Sequence, residues 1–185
     1  MKNIVLYGER KDRQIGDTLK RLMQDIFTVN YFTDFGLTTI GSGPPINLLE
    51  TASIREIDSK NCIFILKRNS KVSSIRHINR FADVVVDASN IKSVARLASK
   101  LPNVYTCGFS PKDCMTFSSC GDGNVVVSLQ RSLRLSKEVS CDPFEIPCEV
   151  EAKLQDYTIL ASVLTLTLCG QMDENISRRI EKLHI

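Results

Sequence analysis

Residues 81–116 read FADVVVDASNIKSVARLASKLPNVYTCGFSPKDCMT, and this stretch decides the fold. Residues 84–86 and Val104–Cys107 are short, apolar and rich in β-branched side chains, which is the composition of buried strands. Between them a polar loop, Asp87-Ala-Ser89-Asn90, leads into a helical pattern over residues 91–100. Strand, helix and strand at this spacing form one βαβ unit, and such units build parallel sheets covered by helices. The unit places Asp87-Ala-Ser-Asn90 and Gly108-Phe-Ser110 at the carboxyl ends of their strands, the edge at which open α/β sheets bind ligands.

Outward from this unit, a chain of 185 residues has length for one domain with a substantial core. The expected division of residues 1–185 is a parallel α/β part over 1–114, antiparallel strands over 115–151 and closing helices over 152–185. A net charge of +3 is too small to argue for a nucleic-acid partner. The start, MKNIVLYGER, enters a strand pattern directly, and the longest apolar run, residues 158–169, is too short to span a bilayer. A cytoplasmic protein without a membrane partner is expected. The seven cysteines, Cys62, Cys107, Cys114, Cys120, Cys141, Cys148 and Cys169, form no C-x-x-C pair. With His77 and His184 far apart, no metal site is expected, and the thiols read as reduced and mostly buried. No histidine lies beside any of them to activate a nucleophile.

In the amino-terminal part, residues 3–7 are a buried-strand pattern ending at Gly8. Ile15, Leu19, Leu22, Met23 and Ile26 then mark the apolar stripe of a helix. The loop between them stands where phosphate-binding loops stand. That chemistry needs converging backbone N–H groups, a Lys for the β/γ-phosphates and a Ser/Thr for magnesium. Gly8 and Gly16 flank seven residues here, and no Gly-Lys-Thr follows. Arg10, Lys11 and Arg13 are nevertheless candidates for holding an anion near the helix N-terminus; a solvated charged loop is the alternative. Residues 29–32 read as a second strand, residues 38–45 as an exposed irregular connection, and Cys62–Leu66 as a buried strand. Lys67, Arg68, Lys71, Arg76 and Arg80 follow with no acidic residue before Asp83. In a parallel sheet the start of this run shares an edge with Arg10, Lys11 and Arg13, so an anion site on that rim is one expectation and a basic face in water the other.

Past residue 116 the pattern turns antiparallel. Residues 115–119 and 125–130 flank Cys120-Gly-Asp-Gly-Asn124, a hairpin signal. Phe144, Ile146, Cys148 and Val150 alternate with polar residues, and Pro147 predicts an edge strand. Residues 154–168 have a helical pattern that is apolar nearly all round, which requires burial or a partner. Gly170 is a natural helix stop, Asp173 a natural N-cap, and Ile176, Ile180 and Leu183 the stripe of a last helix.

This order of elements resembles the central domain of the ATP-dependent Mur ligases of bacterial cell-wall synthesis. Residues 3–27 look like the strand, phosphate loop and first helix of that domain. VVVDASN followed by VYTCGFS is similar to its strand with an Asn-x-Asp-Asp loop, helix and Thr-x-Gly strand. YTILASVLTLTLCGQMDENISRRIEKL resembles its two closing helices. The departures are specific: Glu9–Gln14 lacks Gly-Lys-Thr, Asp87-Ala-Ser89-Asn90 keeps only a polar loop, and the acidic residue and Asp-His pair that place magnesium have no counterpart. The resemblance therefore implies a degenerate, truncated relative with a Rossmann-like, P-loop-like α/β sheet. The expected function is non-catalytic binding of an anionic or nucleotide-like ligand, or of a protein partner or second copy. Gly8, Arg10, Lys11, Arg13, Lys67, Arg68, Asp87, Ser89 and Asn90 are the candidate binding residues. No catalytic residue, metal or cofactor is expected. The alternative is an enzyme, either an ATP- and magnesium-dependent amide-bond ligase acting with another chain that supplies its missing groups, or a small transferase using Lys11, Lys67, Asp87 and Ser89.

Overall fold

The computed structural model describes the chain except residues 122, 137, 151–152, 172–177, 179, 181 and 184–185. The chain opens with β1 (Lys2–Tyr7) and α1 (Gln14–Met23), followed by the hairpin β2 (Thr28–Thr33) and β3 (Gly36–Ile40), then β4 (Pro45–Thr51). Next come β5 (Glu56–Ile57), β6 (Cys62–Leu66), a short 3₁₀ turn at Val72–Ser74 and β7 (His77–Ile78). The βαβ unit is β8 (Asp83–Asp87), α2 (Ile91–Ala98) and β9 (Val104–Cys107). After it run β10 (Met115–Cys120), β11 (Asn124–Leu129), β12 (Leu133–Arg134), β13 (Ser140–Cys141), β14 (Phe144–Val150), α3 (Asp156–Leu168) and β15 (Lys182–Leu183).

Eleven strands form one sheet in the order β15-β14-β11-β10-β9-β8-β6-β1-β4-β2-β3. From β2 to β10 every neighbouring pair is parallel. β3 is antiparallel at one end, and β11 turns the other end through antiparallel pairs with β10 and β14. The fold is therefore α/β, as the βαβ unit predicts. Strand periodicity sorts the core onto two faces. Ile4, Leu6, Ile63, Ile65 and Val85 point to the side of α1 and α3. Val5, Tyr7, Phe64, Leu66, Val84 and Val86 point to the side where Val72, Ile75 and Leu97 of the α2 layer pack.

The connection expected over residues 38–45 is instead structured. Residues 36–40 form β3, and Pro45 opens β4, which inserts in parallel between β2 and β1. β3 is exposed along nearly its whole length, so it carries no alternation to betray it. Pro45 sits at the first position of its strand, where the missing donor is tolerated. β14 is paired on both sides, and the short β15 takes the outer edge beside Glu149 and Val150. Pro147 lies just before those pairs, so its absent N–H is not asked for. In the expected last helix, Asp173 and Ile176 fall outside the described residues, Ile180 is buried, and Leu183 belongs to β15. No helix among the described residues is long and apolar enough to cross a membrane.

Candidate functional site at the carboxyl edge of the sheet

Three loops meet at the carboxyl edge: residues 8–13 after β1, residues 67–71 after β6, and residues 87–90 after β8. Lys67 ties the first two together. It leaves β6 with its backbone N–H donated to the Tyr7 carbonyl (2.9 Å), and its side chain turns inward until only 1% is exposed. Its ammonium lies 2.6 Å from Oε1 of Glu50, itself 7% exposed at the end of β4. The same ammonium donates to the backbone carbonyls of Glu9 (3.0 Å) and Asp12. The second carboxylate oxygen of Glu50 accepts the Tyr31 hydroxyl of β2. Burial, and then that hydrogen bond and the Glu50 charge, raise the Tyr31 pKa far above its ordinary value, so the hydroxyl stays a donor.

The glycines that bracket the loop serve this pair. A Cβ on Gly8, whose φ is +153°, would stand 2.7 Å from Lys67 Cβ and closer still to Ser70 Oγ. Gly8 is bare so that the lysine stem can cross the end of β1. A Cβ on Gly16, in the first turn of α1, would stand 2.8 Å from Glu50 Oε2. A phosphate loop turns its N–H groups inward onto an anion. Here carbonyls turn inward onto a cation, and the cation is part of the chain.

The remaining candidates divide accordingly. Arg10 pairs with Asp34 (2.7 Å) and lies over the Phe35 ring, while Thr51 Oγ1 donates to the other Asp34 oxygen (2.7 Å). Arg13 stands 3.9 Å from Asp17, a loose exposed contact, and Lys11 is exposed with no ion-pair partner among the described residues. The space enclosed by Arg10, Arg13, Asp34, Glu50 and Lys67 is about 70 Å³. Pockets for nucleotide-sized ligands need roughly 300 Å³ or more, so this one admits water or a very small ion. Lys67, read from sequence as a rim cation, is a buried structural one.

The βαβ loop closes the rim from the other side. Asn90 caps α2 by accepting from Ser93 N (3.3 Å) and donates to the Ser70 carbonyl (2.8 Å). Asp87, buried at the end of β8, accepts from the backbone N–H of Ser89 (2.8 Å) and lies 3.4 Å from Arg68 Nε. Beside it a cleft of about 270 Å³ opens between Asp87, Gly108, Ser110, Asp113 and the start of α3. Asp113 accepts from Ser110 N (3.0 Å), and the buried Tyr157 hydroxyl donates to the Leu66 carbonyl (2.7 Å), sealing α3 onto the strand ends. Asp87, Asp113 and Asp156 line this cleft, and Arg68 is the cation among its lining residues. Among the described residues no group of three or more His, Cys, Asp or Glu side chains is placed to hold a metal ion.

Glu50, Tyr31 and Asp34 were not singled out from sequence. The available signal was phase: Ile46, Leu48 and Glu50 alternate, which puts a carboxylate on the buried face.

The thiols follow their burial. Cys62 is pushed up to about 12 and Cys114 to about 11 by desolvation, and Cys107, fully buried, is raised well above its ordinary value. Cys120 is exposed. Iodoacetamide at pH 8 is expected to label Cys120 first, with Cys62, Cys107, Cys114 and Cys148 labelled only as fast as the protein unfolds. Mass-spectrometric time courses check this, and early labelling of Cys107 would contradict the placement of β9.

No protein-family model matches the chain, and no curated protein matches it. Solved structures show the likeness of the fold, which is Mur-ligase-like. The MurF ligase of Thermotoga maritima in complex with ADP is similar with a TM-score of 0.60 at 12% identity, covering 95% of this chain and 47% of that one. MurF of Acinetobacter baumannii gives 0.64 at 9% identity, with 100% and 46% covered. The UDP-N-acetylmuramate:L-alanyl-gamma-D-glutamyl-meso-diaminopimelate ligase of Neisseria meningitides gives 0.59 at 8%, with 98% and 65% covered. The chain thus spans about half the length of the MurF structures it matches.

Proposed function

We propose that this protein is a non-catalytic, bacterial, cytosolic relative of the Mur ligases that binds an anionic or nucleotide-like ligand or a protein partner at its carboxyl rim, in connection with cell-wall metabolism. The observation that carries this reading is Lys67. Its ammonium takes the carbonyls of Glu9 and Asp12 and the Glu50 carboxylate, on the loop whose sequence position resembles the phosphate loop of the ligases. Acyl-phosphate formation from ATP needs a phosphate clamp and a metal, and losing both removes several orders of magnitude in rate. The exposed Lys11, Arg13 and Arg68, with Ser89 and Asn90, are the rim groups left to meet a ligand or partner.

A thermal-shift titration with ATP, ADP and a UDP-sugar, each with and without magnesium, tests the reading. Binding at a hundred times the dissociation constant adds about 2.7 kcal/mol, or several degrees for a chain of this size. The expected result is no magnesium-dependent shift with ATP and no phosphate release. A magnesium-dependent shift accompanied by phosphate release, lost in Asp87→Ala, would overturn it in favour of an amide-bond ligase acting with a second chain. The likeness to complete ligases supports that alternative.

A further inference from the structure

A sizeable cavity lies away from the carboxyl rim, on the α2 face. It is a groove of about 490 Å³ between residues 72–81 and α2 with the turn that follows it. Its floor is aliphatic: Val72, Ile75, Leu97 and Leu101 are all buried there against the sheet. Its walls are cationic. Arg76 and Arg80 stand on one side, and Arg96 and Lys100, one helical turn apart, stand on the other. All four are exposed, and none has an ion-pair partner among the described residues. This contrasts with the rim, where Arg10, Lys67 and Arg68 are each matched to a carboxylate. Asp58 is the one carboxylate lining the groove, and Asn79 Nδ2 already donates to it (2.7 Å). At the mouth the Arg80 guanidinium lies 5.1 Å from the centre of the Phe81 ring, which is 54% exposed. Stacking of this kind orients a guanidinium while leaving its N–H edge free.

Like charges gathered around one opening repel each other and raise the local potential, which an incoming anion relieves. A volume within the range of small-molecule pockets, an apolar floor and convergent cations at the lip define the complementary ligand. We propose that this groove binds a free amphipathic anion, an aliphatic chain of medium length with a carboxylate or phosphate head. The chain lies on Val72, Ile75, Leu97 and Leu101, and the head meets Arg76, Arg80, Arg96 and Lys100. This site is independent of the carboxyl rim and of whether the rim binds anything.

Isothermal titration with decyl phosphate and with decanoate, both below their micelle concentrations, tests it. The expected dissociation constant is in the range of about 1–100 μM, with decanol and inorganic phosphate each weaker by about tenfold or more. Arg80→Glu combined with Arg96→Glu is expected to weaken decyl phosphate by at least about tenfold. Both side chains are exposed and have no ion-pair partner among the described residues, so the unliganded variant should stay folded, which a cooperative melting transition verifies. No binding at about 1 mM, equal binding of decanol, or undiminished affinity in the folded double variant overturns the proposal. Retention on phosphatidylglycerol vesicles without binding of the monomeric anions also overturns it, in favour of a membrane contact.

Discussion

Lys67→Met is expected to lower the unfolding free energy by about 3–5 kcal/mol, because it leaves the Glu50 carboxylate buried without its cation. At roughly 2–4 °C per kcal/mol for a chain of this length, the melting temperature should fall by about 10 °C. The loss has two parts. Glu50, 7% exposed, keeps only the Tyr31 hydroxyl, and the carbonyls of Glu9 and Asp12 lose the donor that holds their loop against β6. Neutralising the survivor separates these parts. Lys67→Met with Glu50→Gln removes the stranded charge and still gives Tyr31 an acceptor, so it should recover about half of the stability. Gly8→Ala should approach the single-variant loss, since its methyl would occupy the path of the lysine stem. Urea unfolding of the four proteins measures this directly. A loss below about 1 kcal/mol for Lys67→Met is the behaviour of an exposed pair and would remove the internal cation from the account.

Leu164→Ala is expected to cost about 2–5 kcal/mol, with the same value at low and high protein concentration. Every residue of α3 from Tyr157 to Leu168 is buried, and Leu164 is 0% exposed. The helix packs on α1 and on β6, β8, β9, β10 and β11, so its apolar circumference is enclosed by its own chain. Denaturant titration at two concentrations, with sedimentation to follow mass, checks the prediction. Stability that rises with concentration would mean that a second copy covers α3. The helix has a nearly uniform apolar composition because it is surrounded, and this is also why its sequence pattern points equally well to a partner.

What the sequence determined by itself is whatever repeats over a few residues. Residues 84–86 and Val104–Cys107 announce strands, and residues 91–100 a helix, because burial on a sheet selects β-branched runs and burial on one helix face selects every third or fourth position. The Asp-Gly dipeptide in the sequence announces the β10–β11 hairpin for an equally local reason. These elements fix an α/β sheet with an antiparallel end. The fate of charge was left to tertiary structure. Lys67 and Arg68 are neighbours of like sign, yet one is sealed beneath a loop and the other faces a cleft. The difference lies in Glu50 on β4, a strand hidden behind a proline and a flanking exposed hairpin, and in Gly8, whose missing side chain lets the lysine cross. The groove between residues 72–81 and α2 arises in the same way. Its cations come from separate segments, and only packing against the sheet brings Arg80 and Arg96 to one opening. Electrostatic partnership depends on distances between strands and helices far apart in the chain, and those distances exist only once the sheet is assembled.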